Sequence, residues 1–221
     1  MVFEKNHQES IDATKAFMEE TLAGAEGSHD VWHIRRVHTM AKRIAAEEGA
    51  DRLVVELGAL LHDIADAKFH NGDDEIGPRK AKEFLESIGV EESVVEHVEN
   101  IIRNISFRKS LEGQEFRSLE LDVVQDADRL DALGAIGIAR TFAYNGAKGR
   151  QLYDPAIKPN LHMTKEEYKA STAPTVNHFY EKLLLLKDRM NTATGRRLAE
   201  GRHVFMEQYL EEFYDEWEGK I

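Results

Sequence analysis

The feature that most constrains this sequence is an apolar run at 57–61 that ends in the adjacent pair His62 and Asp63. An apolar run of this kind predicts burial, so the pair is expected at the edge of a core. Burying a carboxylate without a partner costs several kcal/mol. A metal ion is a suitable partner, because it draws imidazole and carboxylate ligands from several helices at once. The pair therefore predicts a metal site.

The composition is typical of a compact protein. The chain has 221 residues, of which 42% are hydrophobic, with 15 Gly and 4 Pro. We expect a single domain over 1–221, with a core at about 25–145 and a C-terminal helical extension at about 164–218. The absence of cysteine excludes disulfides and thiolate metal sites, so any metal must be held by His, Asp or Glu.

The charge of the chain limits its partners. A formal net charge of −12 disfavours non-specific binding to nucleic acid or to an anionic membrane, so neither is expected as a partner. The start of the sequence lacks an apolar signal core, and no stretch reaches the roughly 20 apolar residues of a membrane span. A cytoplasmic location fits these features.

The periodicity of apolar residues predicts an all-α fold, because no alternating run is long enough for a strand. Residues 28–30 are typical of a helix N-cap cluster, and helix is predicted to restart at Asp51. Residues 66–77 and 146–163 are predicted loops, the latter basic. Helices are predicted at about 8–24, 30–49, 51–65, 78–88, 91–104, 117–145 (one long helix or a broken pair), 164–190 and 192–218.

Two histidines lie on inward helix faces. His33 shares a face with Val37 and Ile44, so it is predicted to point into the core. His62 shares a face with Gly58 and Ala65, whose small size leaves room beside the imidazole. Asp63 lies about 100° further around the helix, so both members of the pair can reach one ion beyond the helix end.

A further carboxylate is expected from the segment at 125–131. Asp128 shares a face with apolar residues, whereas Asp126 lies on a more polar strip, so helical geometry favours Asp128 as the buried ligand. Asp131 lies one turn further on the same side and is a candidate to support the ligands by hydrogen bonding.

The predicted ligand set is His33, His62, Asp63 and Asp128. Two imidazoles and two carboxylates suit Mn, Fe, Co, Ni or Zn without choosing among them. Taken singly, an inward histidine is more often a hydrogen-bonded core residue, and an inward aspartate is more often paired with an arginine. The joint pattern favours a metal site over those structural interpretations.

Three stretches resemble the HD-domain phosphohydrolase superfamily: 28–37 (SHDVWHIRRV), 59–66 (ALLHDIAD) and 126–131 (DADRLD). Its pattern is a helical histidine, a His-Asp pair and a later aspartate. Longer stretches at 125–143, 177–183 (NHFYEKL) and 190–192 (MNT) resemble one small bacterial subfamily. The resemblance covers nearly the whole chain and implies a helical HD-domain bundle with additional C-terminal helices.

The resemblance also implies an activity. Subfamily members with an assigned activity are similar to nucleoside-triphosphate pyrophosphohydrolases, which release pyrophosphate and leave the monophosphate by means of a metal-activated water. Two-metal HD enzymes carry extra histidines after the His-Asp pair. Here Asn104 stands where one is expected and His97 is predicted to lie at the surface, so one divalent ion is expected. Manganese is the first candidate, with Mg, Fe, Co, Ni or Zn as alternatives.

Further residues are candidates for catalysis and substrate binding. In related enzymes the acidic residue at the offset of Asp66 orients or deprotonates the attacking water, so Asp66 is the catalytic candidate; capping the helix end or pairing with Lys68 is its structural alternative. A triphosphate also needs cations. The candidates are Arg35 or Arg36 beside His33, Lys68, Arg129 beside Asp128, and Lys148 and Arg150.

Other functions share the same site. A phosphomonoesterase such as a 5′-nucleotidase, or a hydrolase of a signalling nucleotide, would use the same metal ligands. A non-catalytic nucleotide-binding module is disfavoured by the intact ligand set. A small-molecule nucleotide is the expected ligand in each case, and a homodimer is a mild expectation.

Overall fold

A computed structural model describes residues 2–24, 30–65, 73, 75–105, 116–164, 167 and 170–221, with the backbone alone at 2–5. Within these residues the chain forms nine α-helices and no strand, which confirms the all-α prediction. The helices are α1 (Val2–Thr21), α2 (Val31–Glu48), α3 (Arg52–Leu61), α4 (Ile76–Ser87), α5 (Glu92–Asn104), α6 (Leu119–Asp131), α7 (Gly134–Ala147), α8 (Asn177–Glu181) and α9 (Ala193–Trp217).

Local sequence signals set the boundaries of the helices near the predicted site. The Asp30 carboxylate caps α2 by accepting the His33 backbone N–H at 2.8 Å. Gly49 ends the same helix with φ 76°, a left-handed conformation that glycine adopts without strain. Asp51 caps α3 by accepting the Val54 N–H at 3.1 Å. The predicted cap at 28–30 is therefore confirmed, and the helix predicted to restart at Asp51 begins at Arg52 with Asp51 as its cap.

The predicted stretch at 117–145 is a broken pair, α6 and α7. The chain turns between them so tightly that a Cβ on Gly137 would stand 2.2 Å from the Ala132 carbonyl oxygen. Gly134 takes φ 70° at the same break. Glycine at these two positions makes the turn possible.

The predicted continuous helix over 164–190 is wrong. In the described part of that range residues 167 and 170 are helical and residues 171–174 are not, after which the chain forms the short α8 and two 3₁₀ turns, Leu183–Leu185 and Lys187–Arg189. The Thr175 and Val176 N–H groups donate to the Gln151 and Leu152 carbonyls at 2.9 and 3.0 Å. These long-range backbone bonds satisfy donors that a continuous helix would use, which periodicity cannot reveal.

The described chain divides into two compact units, Met1–Asp128 and Arg129–Ile221, with the boundary inside α6. In the first unit α2 packs on α3, α3 on α1 and α5, and α4 on α5. In the second unit α7 packs on α9. No helix in these described ranges is long and apolar enough to cross a membrane.

Gly58 corrects a detail of the sequence analysis. The space beside it is not open, because a Cβ there would meet Ile101 methyl groups at 3.4 Å and Val124 at 3.6 Å. The absent side chain lets α3 approach α5 and α6 closely. Gly58 therefore sets helix spacing rather than making room for an ion.

Candidate metal centre

Three predicted ligands from three helical segments meet in the first unit. His33 lies in the first turn of α2, His62 directly follows α3, and Asp128 lies on α6. One nitrogen or oxygen of each lies within 4.8 Å of the others. The Asp128 Oδ1 atom is 3.4 Å from His33 Nε2 and 4.0 Å from His62 Nε2.

These separations suit a single ion. Bonds from a transition metal to imidazole nitrogen or carboxylate oxygen are about 2.0–2.2 Å long, so two donors to one ion lie at most about 4.4 Å apart. Both distances from Asp128 Oδ1 fall below that limit. The two imidazole rings stand edge to face with centroids 5.5 Å apart. The group can therefore hold one ion with little rearrangement.

The protonation of His62 also suits a metal. Its Nδ1 lies 2.9 Å from the Ala59 carbonyl oxygen, which can only accept a hydrogen bond. Nδ1 therefore donates this hydrogen bond, which in the neutral ring places the lone pair on Nε2. The Nε2 atom is buried and has no hydrogen-bond partner within the described residues. A buried imidazole lone pair facing a carboxylate is the arrangement of a metal-ligating histidine.

The expectation that Asp128 is the more buried of Asp126 and Asp128 is wrong. Asp126 is 0% exposed, whereas the Asp128 side chain is 40% exposed. The less buried carboxylate is nevertheless the one near both histidines. A ligand at a site that admits solvent and substrate need not be buried, so burial was the wrong criterion.

The structure treats the other predicted acidic residues differently. Asp63 is half-buried and lies outside the group of three that meets the 4.8 Å distance. Asp131, in the second unit, is buried and accepts a hydrogen bond from Arg140 Nη1 at 2.7 Å. Asp66 falls outside the described residues. The roles assigned to these three remain predictions.

With the geometry established, similarity to known proteins identifies the family. The family model of the HD domain matches residues 31–133, a range that contains His33, His62 and Asp128. A crystal structure named as an HD-superfamily hydrolase from Bacillus thuringiensis shares 47% sequence identity with this chain and a TM-score of 0.78. That match covers 96% of this chain and 98% of the other. The chain belongs to the HD superfamily.

A second relative is YpgQ of Bacillus subtilis. It is 39% identical to this HD protein over 197 residues, which cover 89% of this chain and 88% of YpgQ. A crystal structure of YpgQ in complex with ADP superposes with a TM-score of 0.76 and 35% identity, covering 96% of each chain. The similarity therefore extends beyond the HD domain into the C-terminal helices.

The predicted phosphate-binding cations of the first unit are only partly described. Arg36 is half-buried on α2 and already interacts with other groups of the protein. Lys68 lies outside the described residues. Their roles in substrate binding remain predictions.

The two candidate phosphate-binding residues of the 146–163 loop have contacts of their own in the second unit. The Lys148 ammonium lies 5.8 Å from the centre of the Tyr144 ring. The Arg150 guanidinium donates to Asn145 Oδ1 at 2.8 Å and to the Ser171 carbonyl at 2.6 Å. These two bonds hold the loop, so Arg150 has a structural role whether or not it binds phosphate.

Sequence reasoning missed a second buried cluster around Glu56. Its Oε2 lies 2.7 Å from His38 Nε2, and its Oε1 accepts from Arg52 Nε at 2.6 Å. Burial alone would raise the pKa of this carboxyl, but hydrogen bonds with His38 and Arg52 lower the pKa to about 2. The available signal was a single glutamate within the otherwise apolar run of α3.

His97 also differs from its predicted surface position. It is half-buried, and its Nε2 lies 2.8 Å from Ser118 Oγ and 3.5 Å from Glu120 Oε2. These contacts join α5 to the start of α6. His97 therefore has a structural role in the first unit.

Proposed function

We propose that this HD protein is a metal-dependent phosphohydrolase that cleaves ribo- and deoxyribonucleoside triphosphates to monophosphate and pyrophosphate. The observation that carries the proposal is the buried Nε2 atom of His62, which lacks a hydrogen-bond partner in the described chain and lies 4.0 Å from Asp128 Oδ1. Leaving such an acceptor unsatisfied is costly, and a metal ion removes the cost.

His33, His62 and Asp128 would hold the ion, with Asp63 as the proposed fourth ligand. When bound, a divalent ion would polarise a phosphoryl oxygen and lower the pKa of water towards neutrality. The donor set of imidazole and carboxylate favours manganese, iron, cobalt, nickel or zinc. Two interactions preorganise the histidines, since the Ala59 carbonyl fixes the His62 ring and Asp30 caps the turn that carries His33.

In the proposed reaction, a water oxygen attacks the α-phosphorus. The bond between the α-phosphorus and the bridging oxygen breaks, and pyrophosphate leaves with that oxygen. The water loses one proton, for which Asp66 is the proposed acceptor on the strength of its sequence offset from Asp63. Arg36 and Lys68 are the proposed counter-charges, because phosphoryl transfer depends on positioning and charge neutralisation.

A nucleotide substrate is supported by similarity. YpgQ, whose similarity spans nearly the whole of both chains, was crystallised with ADP. A protein with net charge −12 repels a free triphosphate, so binding requires local positive charge. The proposed ion supplies that charge where the three ligands meet.

Product analysis tests the reaction. The protein is loaded with Mn²⁺ and incubated with each common ribo- and deoxyribonucleoside triphosphate, and the products are separated by chromatography. Monophosphate and pyrophosphate in equal amounts are expected, and both should be lost in Asp128→Ala. Release of inorganic phosphate or nucleoside would contradict the proposed reaction and favour a phosphomonoesterase.

Isotope labelling identifies the phosphorus that is attacked. In water enriched in ¹⁸O, attack on the α-phosphorus places the label in the monophosphate, whereas attack on the β-phosphorus places it in pyrophosphate.

The matched control for the variants is His38→Ala, which removes a histidine of α2 that belongs to a different cluster from the candidate ligands. Asp66→Asn should retain metal and lose turnover, and near-normal turnover would exclude Asp66 as the proton acceptor.

A further inference from the structure

Trp32 is an exposed indole beside the candidate metal centre. It lies in the first turn of α2, one residue before His33, and is 62% exposed. A tryptophan gains more from burial than most side chains, so such exposure next to a ligand residue is notable.

The Trp32 ring is fixed in place by a charged pair. The Arg35 guanidinium lies 5.0 Å from the ring centre, within the range of a cation–π interaction. Arg35 Nη2 in turn donates to Glu19 Oε1 of α1 at 2.5 Å. The indole is therefore held against a guanidinium that α1 anchors, while most of its surface remains open.

The other tryptophan of the chain has different surroundings. Trp217 in the second unit is 49% exposed, but it lies in an aromatic cluster, with ring centroids 5.2 Å from Tyr153 and 5.9 Å from Phe213. In the described part of the chain Arg35 is the single ring contact of Trp32. Ring packing accounts for Trp217, whereas among the described residues the Trp32 ring has one cation–π contact and a larger exposed fraction.

The position of Trp32 suits a base. Trp32 and His33 are adjacent in the first turn of α2, and successive helix residues differ by about 100°, so the two side chains project from adjoining faces. A nucleoside phosphate is an elongated ligand with phosphate at one end and base at the other, so its two ends can engage adjoining faces.

We propose that Trp32 is the base-stacking residue of a nucleotide subsite beside the metal centre, a role that rests on the proposed function. Its ligand is the nucleobase of a nucleoside phosphate. Stacking on an aromatic ring tolerates every base, because each base has a π-face. The subsite therefore accepts all common bases, and purines bind more tightly than pyrimidines because they offer more ring surface.

Intrinsic fluorescence tests the contact without turnover. The chain has two tryptophans, so Trp217→Phe leaves Trp32 as the single indole. This protein is titrated in Mg²⁺ with adenosine monophosphate and, as a matched ligand without a base, with ribose 5-phosphate. We expect saturable quenching by adenosine monophosphate and none by ribose 5-phosphate.

Equilibrium dialysis measures the contribution of the ring. Trp32→Ala should weaken the binding of adenosine monophosphate at least about fivefold, the lower end of the effect of losing one base–aromatic stack. Trp32→Phe, which keeps an aromatic face, should bind with intermediate affinity. Trp217→Phe is the control that removes an exposed tryptophan elsewhere and should retain full affinity.

Four outcomes would overturn the subsite: equal quenching by both ligands, binding of adenosine monophosphate without quenching, no binding at millimolar concentration, or unchanged affinity in Trp32→Ala. Failure of the proposed function is seen separately. Quenching in a protein that cleaves no triphosphate would leave the subsite and remove the reaction, whereas cleavage without quenching would do the reverse.

Discussion

Two clusters of histidine and carboxylate share α2 and the segment of α3, the second adding Asp128 of α6, but they are organised in opposite ways. His38 Nε2 lies 2.7 Å from Glu56 Oε2, and Arg52 Nε donates a hydrogen bond to the other carboxylate oxygen at 2.6 Å. His62 and Asp128 stay 4.0 Å apart, with the imidazole nitrogen buried and lacking a hydrogen-bond partner in the described residues. The same residue types form a closed ion-paired cluster in one place and an open ligand set in the other.

The difference shows what separates a structural cluster from a metal centre. Residue identity and burial do not, because His33 and His38 are both buried on α2. The two clusters differ instead in whether their buried polar atoms have hydrogen-bond partners. The Glu56 cluster neutralises its own charge, whereas the His62 group leaves a lone pair for which a cation is the natural partner. Substitutions in each cluster can break or sharpen this distinction.

The largest expected effect is that of His62→Ala. Losing a direct ligand should reduce turnover at least about 100-fold, the upper end of what loss of a supporting residue costs. Metal content after dialysis, measured by mass spectrometry, should fall in parallel while the protein stays folded. Retention of a full equivalent of Mn²⁺ would exclude His62 as a ligand.

Metal should also stabilise the fold through one cluster and not the other. At a free Mn²⁺ concentration 100 times its Kd, the free energy of unfolding should rise by about 2.7 kcal/mol, because the ion binds the folded state. Urea titrations should show this rise in the unmodified protein and in His38→Ala. A similar rise in His62→Ala would mean that the ion binds elsewhere.

His38→Ala should act on stability rather than on metal binding. It removes a buried hydrogen bond to a charged group, which should lower the free energy of unfolding by about 2 kcal/mol. Metal content should stay unchanged. Loss of metal in this folded variant would show that the two clusters are coupled.

The effect confined to the narrowest range of conditions is a change in acid stability. The folded pKa of Glu56 is about 2, below its ordinary value of 4.5, so ionised Glu56 stabilises the fold above pH 4.5. This contribution should decline as the pH falls from 4.5 towards 2. The difference in unfolding free energy between the unmodified protein and Glu56→Gln should therefore shrink across that window, and a constant difference would contradict the assigned ion pair.

The sequence by itself determined the local structure and the three candidate ligands that the fold brings together. The cap at 28–30, the helix restarting at Asp51, the all-α class and the meeting of His33, His62 and Asp128 follow from side-chain type, helical period and the recurring His-Asp pattern. These features depend on residues within a few turns of one another, or on a pattern that can be matched. The amino-acid sequence alone is therefore enough to predict them.

Only the tertiary structure decided which side chains satisfy one another. Periodicity places a residue on a helix face, but burial and hydrogen-bond partners come from distant segments. That is why Asp126 and Asp128 were ranked by the wrong criterion, why the pairing of His38 with Glu56 was missed, and why the helix predicted over 164–190 is broken. The open lone pair of His62, which carries the proposed function, is visible only when the partners from three helices are in place.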